Sequence, residues 1–373
     1  MKTVNGKTLL ENLEKVLRLK ADKSSALFSK VGINLDSDSL DMAGVIGDNI
    51  VFIGQPDFDN MKYIRYDDAK NLVKLLKTMK NKNGFDVNIY LDEYFIAENP
   101  NNKSNCCLSY ANNNHSNHSA ILHTTFELFN KLEQCGKIES DEVKGFCSLA
   151  KFTNKKTDKK TLKKSLHYIY GKGNNFYATD LYIMRKIETK NEQKDLFVHH
   201  TVADALAKGK EEIVFSMAEY KNSKWYFAKQ GDMTIAYSID KKMSYPDAER
   251  LYQGYRDVEK RGIISNGKLF KENLELIKSV SEKVDGAYLA KIDWQNSTMS
   301  DKDKNNVNDM SRFYMNEKDS MNFKATFNVA LLKNIFDINN EAEIYMRNNL
   351  SCLFVDYMNG VIDIYLPIRC YDE

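Results

Sequence analysis

Residues 323–336 read FKATFNVALLKNIF, and residues 341–369 read EAEIYMRNNLSCLFVDYMNGVIDIYLPIR. The first piece is strand-like and passes into a short helix. In that helix Val329, Leu332, Ile335 and Phe336 keep the 3,4 spacing of a buried face. The second piece predicts three strands: Ile344-Tyr345-Met346, Leu353-Phe354-Val355 and residues 361–366. Met358-Asn359-Gly360 makes the turn between the last two. The weight of this strand–helix–strands unit depends on whether it recurs.

It recurs. At the start of the chain Leu9, Leu10, Leu13, Val16 and Leu17 line one side of a helix, with Lys7, Lys15 and Arg18 on or near the other. Residues 26–54 then alternate in short runs broken by Asp-Ser and Gly-Asp turns, as a β-meander does. A second helix, DDAKNLVKLLKTMK, carries Asp67 and Asp68 in its first turn, where they suit the helix dipole. Its apolar stripe is Ala69, Leu72, Val73, Leu76 and Met79, and Lys70, Lys74 and Lys77 occupy the opposite face. Strands follow at 85–91 and 106–110, and the Asn-rich residues 111–117 mark a domain boundary.

A second unit starts near Ser119, with Phe126, Phe129, Leu132 and Glu133 on a helix, a strand at 165–170 and a single strand FYATDLYIMRKI. Lys151, Lys155, Lys156, Lys159, Lys160, Lys163 and Lys164 crowd a short span, either a contact to an anionic partner or a solvated loop. Val202, Ala205 and Leu206 mark a further helix, followed by strands at 225–227 and 234–239. The third unit opens with GKLFKENLELIKSV, burying Phe270, Leu274 and Ile277, and a polar loop at 300–308 interrupts it. Its opening resembles GKTLLENLEKV at Gly6. Helix, strands, helix, strands thus occur three times, each over about 115–135 residues. The expectation is an α+β chain of three tandem domains, 1–117, 118–252 and 253–373, each with two helices packed on antiparallel sheets.

Totals agree with this division. A chain of 373 residues is too long for one ordinary domain, and 42% hydrophobic residues suffice for several cores. No run of 18 apolar residues and no charged-then-apolar leader is present, so neither a membrane span nor a secretion signal is expected, and the location expected is cytoplasmic. A net charge of +2 excludes a surface coated in positive charge, though it allows cations to gather on one face. Cys106, Cys107, Cys135, Cys147, Cys352 and Cys370 form no C-x-x-C pair, which leaves ordinary thiols of a reducing compartment.

Catalytic signals are poor. His115-x-x-His118 has no Glu or Cys at ligand spacing. Asp36, Asp38 and Asp41 break the calcium-loop pattern and read as a turn. No phosphate-binding loop or nucleophile motif occurs, and Gly171-Lys172-Gly173 reads as a hairpin turn. No catalytic residue, metal or cofactor is expected.

The strand–helix–strands unit closing on Leu366-Pro367-Ile368-Arg369 resembles the end of the bacterial sliding clamp, the β subunit of the replicative DNA polymerase, which ends in a Met-Pro-Met-Arg-like tail. Two further segments carry the resemblance. Residues 177–184, YATDLYIM, are similar to the family's Ala-Thr-Asp-Gly-His-Arg-Leu, and residues 245–251, YPDAERL, to its Phe-Pro-Asp-Tyr-Arg-Arg-Val. All three segments stand in the family's order, and with the repeat they cover essentially the whole chain. Leu181, Tyr182 and Ile183 depart from the family's Gly, His and Arg, and residues 370–373 extend past its usual end.

The resemblance implies a non-enzymatic processivity factor. Two three-domain protomers would close a ring around duplex DNA, with sheets outside and helices lining the hole. A clamp loader ATPase would open it, and the replicative DNA polymerase and other partners would dock by a short peptide. It implies sequence-independent contacts to phosphate from Lys15, Arg18, Lys23, Lys70, Lys74, Lys77, Lys208, Lys271 and Lys278. It implies a peptide pocket of Thr179, Tyr182, Ile183, Met184, Pro246, Leu251, Ile364, Leu366, Pro367, Ile368 and Arg369. Read without it, the lysines are solvated helix faces and most of the pocket residues are strand core. Two other readings stay open: a clamp-fold scaffold that does not encircle DNA, and a metal-dependent DNA-processing enzyme.

Overall fold

The structure, a computed structural model, describes residues 1–21, 25, 29–55, 60–79, 85–91, 94–98, 100, 105–108, 122, 125, 127–129, 131–155, 164–256, 258, 261–301, 324–333 and 341–368. The chain divides into two compact units, residues 1–147 with 191–243 and residues 148–190 with 244–373. Among the described residues no helix is long and apolar enough to cross a membrane.

The first unit opens with β1 (Lys2–Asn5), which leads straight into α1 (Gly6–Val16). Asn5 caps the helix, its Oδ1 accepting from the Thr8 amide at 3.0 Å. Gly6 is required there: a Cβ would stand 2.2 Å from the Phe85 ring. The expected stripe is buried, although Leu17 is only half covered. The strands β2 (Lys30–Ile33), β3 (Met42–Ile46), β4 (Asn49–Ile53) and β5 (Lys62–Arg65) precede α2 (Tyr66–Met79). α2 buries the five predicted residues and Tyr66. Next come β6 (Asp86–Leu91), β7 (Phe95–Glu98), β8 (Asn105–Leu108), β9 (Glu133–Ile138) and α3 (Val143–Ser148).

In the second unit β10 (Tyr168–Thr179) turns into the long β11 (Ile183–His199), whose last residues return to the first unit. There α4 (His200–Leu206), β12 (Ile213–Tyr220), β13 (Ser223–Gln230) and β14 (Met233–Asp240) complete it. The second unit continues with α5 (Ala248–Arg256), β15 (Arg261–Ile264), α6 (Gly267–Val280), β16 (Leu289–Asp293), β17 (Thr298–Asp301), β18 (Lys324–Asn328) and α7 (Val329–Leu332). It ends in β19 (Ala342–Tyr345), β20 (Leu353–Asp356) and β21 (Val361–Tyr365).

A passage from strand to helix therefore occurs at β1–α1, β5–α2, β9–α3, β11–α4, β15–α6 and β18–α7. The likeness of the two Gly-Lys openings is real at the residue level. Asn266 caps α6 as Asn5 caps α1, and Gly267, Phe270, Asn273, Leu274 and Ile277 are buried where Gly6, Leu9, Asn12, Leu13 and Val16 are.

The sheets run β1-β6-β7-β8 and β5-β2-β3-β4-β14-β13-β12-β9 in the first unit, β10-β11-β21-β20-β19-β15 and β17-β16-β18 in the second. Two seams join strands distant in sequence. β4 pairs antiparallel with β14, Ile53 opposite Met233 to Asn49 opposite Tyr237. β11 pairs with β21, Ile183 opposite Tyr365 to Ile187 opposite Val361. The large apolar cluster of the first unit, with Phe52, Tyr63, Trp225 and Phe227, packs beneath the β4–β14 seam.

Several expectations need correction. FYATDLYIMRKI is two strands broken at 180–182, because the Asp180 side chain draws the backbone into a turn. Residues 164–167 form a 3-10 turn, and the strand begins only at Tyr168. Glu133 opens β9 rather than ending a helix, since cross-strand pairing with β12 claims it. Gly171-Lys172-Gly173 lies inside β10, with only Gly173 at positive φ. Residue 252, where the second and third domains are expected to meet, lies within α5. The Asn-rich residues 111–117, with His115 and His118, and most of the lysine cluster at 151–164 lie outside the described residues, as do Ile335 and Phe336. Asp36 and Asp41 do sit in a turn, engaged by Lys2 and Ser39. Cys135 and Cys147 are buried, and burial pushes both thiols up to about 12.

Candidate functional site

The predicted pocket residues all belong to the second unit, and two segments there are tied by hydrogen bonds. Strand β10 ends at Thr179, whose hydroxyl donates to the Ile183 carbonyl at 2.8 Å and accepts from the Leu181 amide at 3.0 Å. Asp180 accepts from the amides of Tyr182 and Ile183, both at 2.9 Å. These bonds hold Leu181 at φ +82°. Past β21 the tail stays attached, since the Leu366 amide donates to the Tyr182 carbonyl at 3.0 Å and the Ile368 amide to the Thr326 carbonyl at 2.7 Å.

The third segment, 245–251, reaches the same place through tyrosines. Tyr177 donates to the Glu249 carboxylate at 2.5 Å, and Tyr252 to the Ile362 carbonyl at 3.3 Å. Tyr170 stacks on Tyr245 with ring centroids 5.0 Å apart, and Tyr177 lies 5.7 Å from Tyr252. Beneath them Tyr177, Met184, Ala248, Tyr252, Phe354, Ile362 and Ile364 form one apolar cluster. Burial, then the bond to Glu249, raises the Tyr177 pKa, so the phenol keeps its proton and donates to the carboxylate.

Exposure sorts the predicted residues. Thr179, Ile183, Met184 and Ile364 are buried. Pro246, Pro367 and Ile368 are half-buried. Tyr182 at 64%, Leu251 at 49% and Leu366 at 41% are open, and so is Leu181 at 48%, which the sequence marked only as a departure. Arg369 lies outside the described residues.

Sequence reasoning missed a buried ion pair in this unit. Arg185 on β11 and Asp363 on β21 face one another across the seam and form two bonds of 2.6 Å, Nε to Oδ1 and Nη2 to Oδ2. Both are buried, and Asp363 Oδ2 also accepts from Tyr357 at 2.9 Å and Tyr365 at 2.8 Å. The guanidinium carbon lies 4.0 Å from the Phe152 ring centroid. Burial alone would lower the Arg185 pKa, yet the Asp363 charge and hydrogen bond reverse this and raise it. A charge set among apolar residues in both YIMRKI and VIDIYL was the signal.

The helix lysines form a second candidate surface, and several have internal partners. In the first unit Lys15 meets Asp232 at 2.6 Å, Lys70 meets Asp67 at 2.9 Å and Lys77 meets Glu14 at 2.8 Å. Lys74 is exposed and Arg18 half-buried. Lys208 is exposed but sits in the turn after α4, because that helix ends at Leu206. Lys23 lies outside the described residues. In the second unit Lys278 is exposed and Lys271 half-buried, while Glu275 on the same helix contacts Lys333. Exposed pairs of this kind contribute only about 0–1 kcal/mol each, so phosphate can replace the carboxylates at little cost. Among the described residues no group of three or more His, Cys, Asp or Glu side chains is placed to hold a metal ion.

No family model matches the chain, and no curated protein sequence matches it. Solved structures do. The β sliding clamp of Caulobacter crescentus superposes with a TM-score of 0.73 at 15% identity, over 99% of both chains. The sliding clamp, DNA polymerase III subunit beta, of Bartonella birtlesii, solved bound to griselimycin, gives 0.73 at 14%, again over 99% of both. The DNA polymerase III β subunit of Thermotoga maritima gives 0.71 at 12% over the same shares. Sequence identity this low speaks to architecture alone. Across 99% of its length this chain has the α+β fold of the bacterial DNA polymerase III β sliding clamps.

Proposed function

We propose that the chain is one half of a two-copy, three-domain ring, a cytoplasmic processivity clamp without catalytic activity. The ring encircles duplex DNA, is opened by a clamp loader ATPase, and tethers the replicative DNA polymerase and other partners through the pocket at Leu181, Tyr182, Leu251 and Leu366. Tethering acts by effective concentration: a polymerase that lets go rebinds before it diffuses away.

The observation that carries this reading is the pattern of sheet edges. In the sets β5-β2-β3-β4, β9-β12-β13-β14 and β15-β19-β20-β21 the strand leading into a helix is one edge, and the far strand forms a seam. In the sets β1-β6-β7-β8 and β18-β16-β17 the far strands are β8 and β17, and among the described residues each is paired on one side only. Unpaired edges invite a partner strand, and the repeat supplies the geometry. A second copy offering β17 to β8, twice, closes the ring.

Small-angle scattering with molar mass on the same sample tests it. The expected result is twice the chain mass with a distance distribution depleted at the centre. Retention on circular DNA and loss from linearised DNA should follow, and a compact or elongated monomer in the presence of loader and DNA would end the ring reading.

The internal pairing of Lys15, Lys70 and Lys77 favours a second reading, a clamp-fold scaffold that does not encircle DNA. Replacing Lys70, Lys74 and Lys77 together by Gln separates the two. For a ring, log affinity for nonspecific duplex should depend less steeply on log salt by about 0.9 for each lysine that meets a phosphate. Under the scaffold reading the DNA affinity and its salt slope stay unchanged.

A further inference from the structure

We infer that Leu181 is a specificity-determining contact of the pocket, and that the pocket takes a short peptide of a partner protein with an apolar anchor flanked by basic residues. This rests on the pocket proposed above and names what it selects.

Leu181 stands at φ +82°, a region that leucine disfavours and glycine does not. Its conformation is imposed from both sides: Thr179 Oγ1 holds its amide, and Asp180 holds the two amides that follow. Packing does not account for the leucine, since 48% of it is open to solvent. By contrast Leu40, also at positive φ, is 3% exposed and fills the core. A disfavoured backbone that presents an exposed apolar side chain is the kind of outlier from which a functional contact is argued.

The neighbourhood states what would cover it. Tyr182 at 64% is next in the chain, and its carbonyl receives the amide of Leu366, itself 41% exposed. Leu251 lies one helical turn beyond Ala248, which is part of the pocket floor. Together these are aliphatic and aromatic surfaces that gain by burial against an anchor side chain. On the segments bearing them, 179–183, 245–251 and 364–369, the charged groups by sequence are Asp180, Asp247 and Glu249 against Arg250 and Arg369. Three carboxylates against two guanidinium groups leave a net negative charge, which favours cations on the peptide that would steer its approach and set its register.

The test starts from a phage library of random dodecapeptides selected on the full chain. Enriched sequences are then made as free fluorescent peptides and titrated against wild type, Leu181→Gly and Leu366→Asp. The expected peptides carry net positive charge and an aliphatic or aromatic anchor. Leu181→Gly should weaken them about tenfold or more without lowering Tm, because glycine relieves the backbone while removing the contact. Peptides that bind Leu181→Gly as tightly as wild type, or that are net acidic, overturn the inference. Loss on Leu366→Asp but not on Leu181→Gly keeps the docking pocket and overturns only the role of Leu181. No enrichment, or no loss on either variant, removes the pocket reading itself, leaving the ring to its own measurements. A molar mass that falls on Leu181→Gly would assign the patch to a second copy of this chain and likewise overturn the inference.

Discussion

Asp363→Ala will lower the unfolding free energy of the second unit by about 3–5 kcal/mol. The substitution leaves the Arg185 guanidinium buried at 2% exposure with no counter-charge, and strips the acceptor from the hydroxyls of Tyr357 and Tyr365. An uncompensated charge in such a place costs far more than the pair itself contributes. Asp363→Asn should cost less, because an amide oxygen still accepts from one or two of these donors. Replacing both partners by apolar residues, Arg185→Met with Asp363→Leu, should recover most of the loss, since no charge then remains to be solvated. A chain with several domains does not unfold in one step, so the probe must be local. Trp294 is fully buried in the second unit and stacked on Phe270, while Trp225 belongs to the first. In a Trp225→Phe background, urea unfolding followed by Trp294 fluorescence reads the second unit alone. A loss under about 1 kcal/mol for Asp363→Ala would mean that water reaches Arg185, and the pair would not hold the seam register.

If the proposed ring forms, Leu276→Asp with Val280→Asp should reduce it to a single chain and cut retention on circular DNA about tenfold or more. Helix α6 packs on the sheet that ends in β17, yet it leaves Leu276 38% and Val280 58% exposed, one turn apart. Apolar side chains on a helix packed against a strand that, among the described residues, is paired on one side only are what a second copy would bury while completing the sheet. Carboxylates there would be desolvated on association, so the cost falls on the interface and not on the fold. Far-ultraviolet circular dichroism and Tm should therefore stay near wild type while the molar mass halves. The half-life on circular DNA should then match that of wild type on linear DNA, where sliding off the ends is free. A doubly substituted chain that still scatters as two copies would place the contact elsewhere and overturn the proposed pairing of β8 with β17.

The two sites differ in how far they were legible. The lysines on α2 were readable because helical periodicity assigns a face to every residue once the apolar stripe is seen. Which carboxylates they meet was not, since Lys77 on α2 finds Glu14 on α1. The proposed pocket was readable only through three short segments, and the residues named divide into buried and open by exposure that spacing cannot supply. Leu181 looked like a mere departure until its φ was known. Lys208 was placed on a helix because Val202, Ala205 and Leu206 continue naturally into it, but the helix stops two residues earlier.

What the sequence determined by itself is the local grammar of this protein. Apolar residues at 3,4 spacing and alternating runs commit each segment to helix or strand, and the likeness of residues 6–16 to 267–277 declares the repeat. These are interactions between neighbours in the chain, so they can be read along it. Tertiary structure alone decided which strands meet at the seams, that Arg185 finds Asp363 178 residues away, and that the tail lies beside the turn at Leu181. Such outcomes depend on which groups are desolvated together, and desolvation is a property of the folded neighbourhood that sequence order does not encode locally.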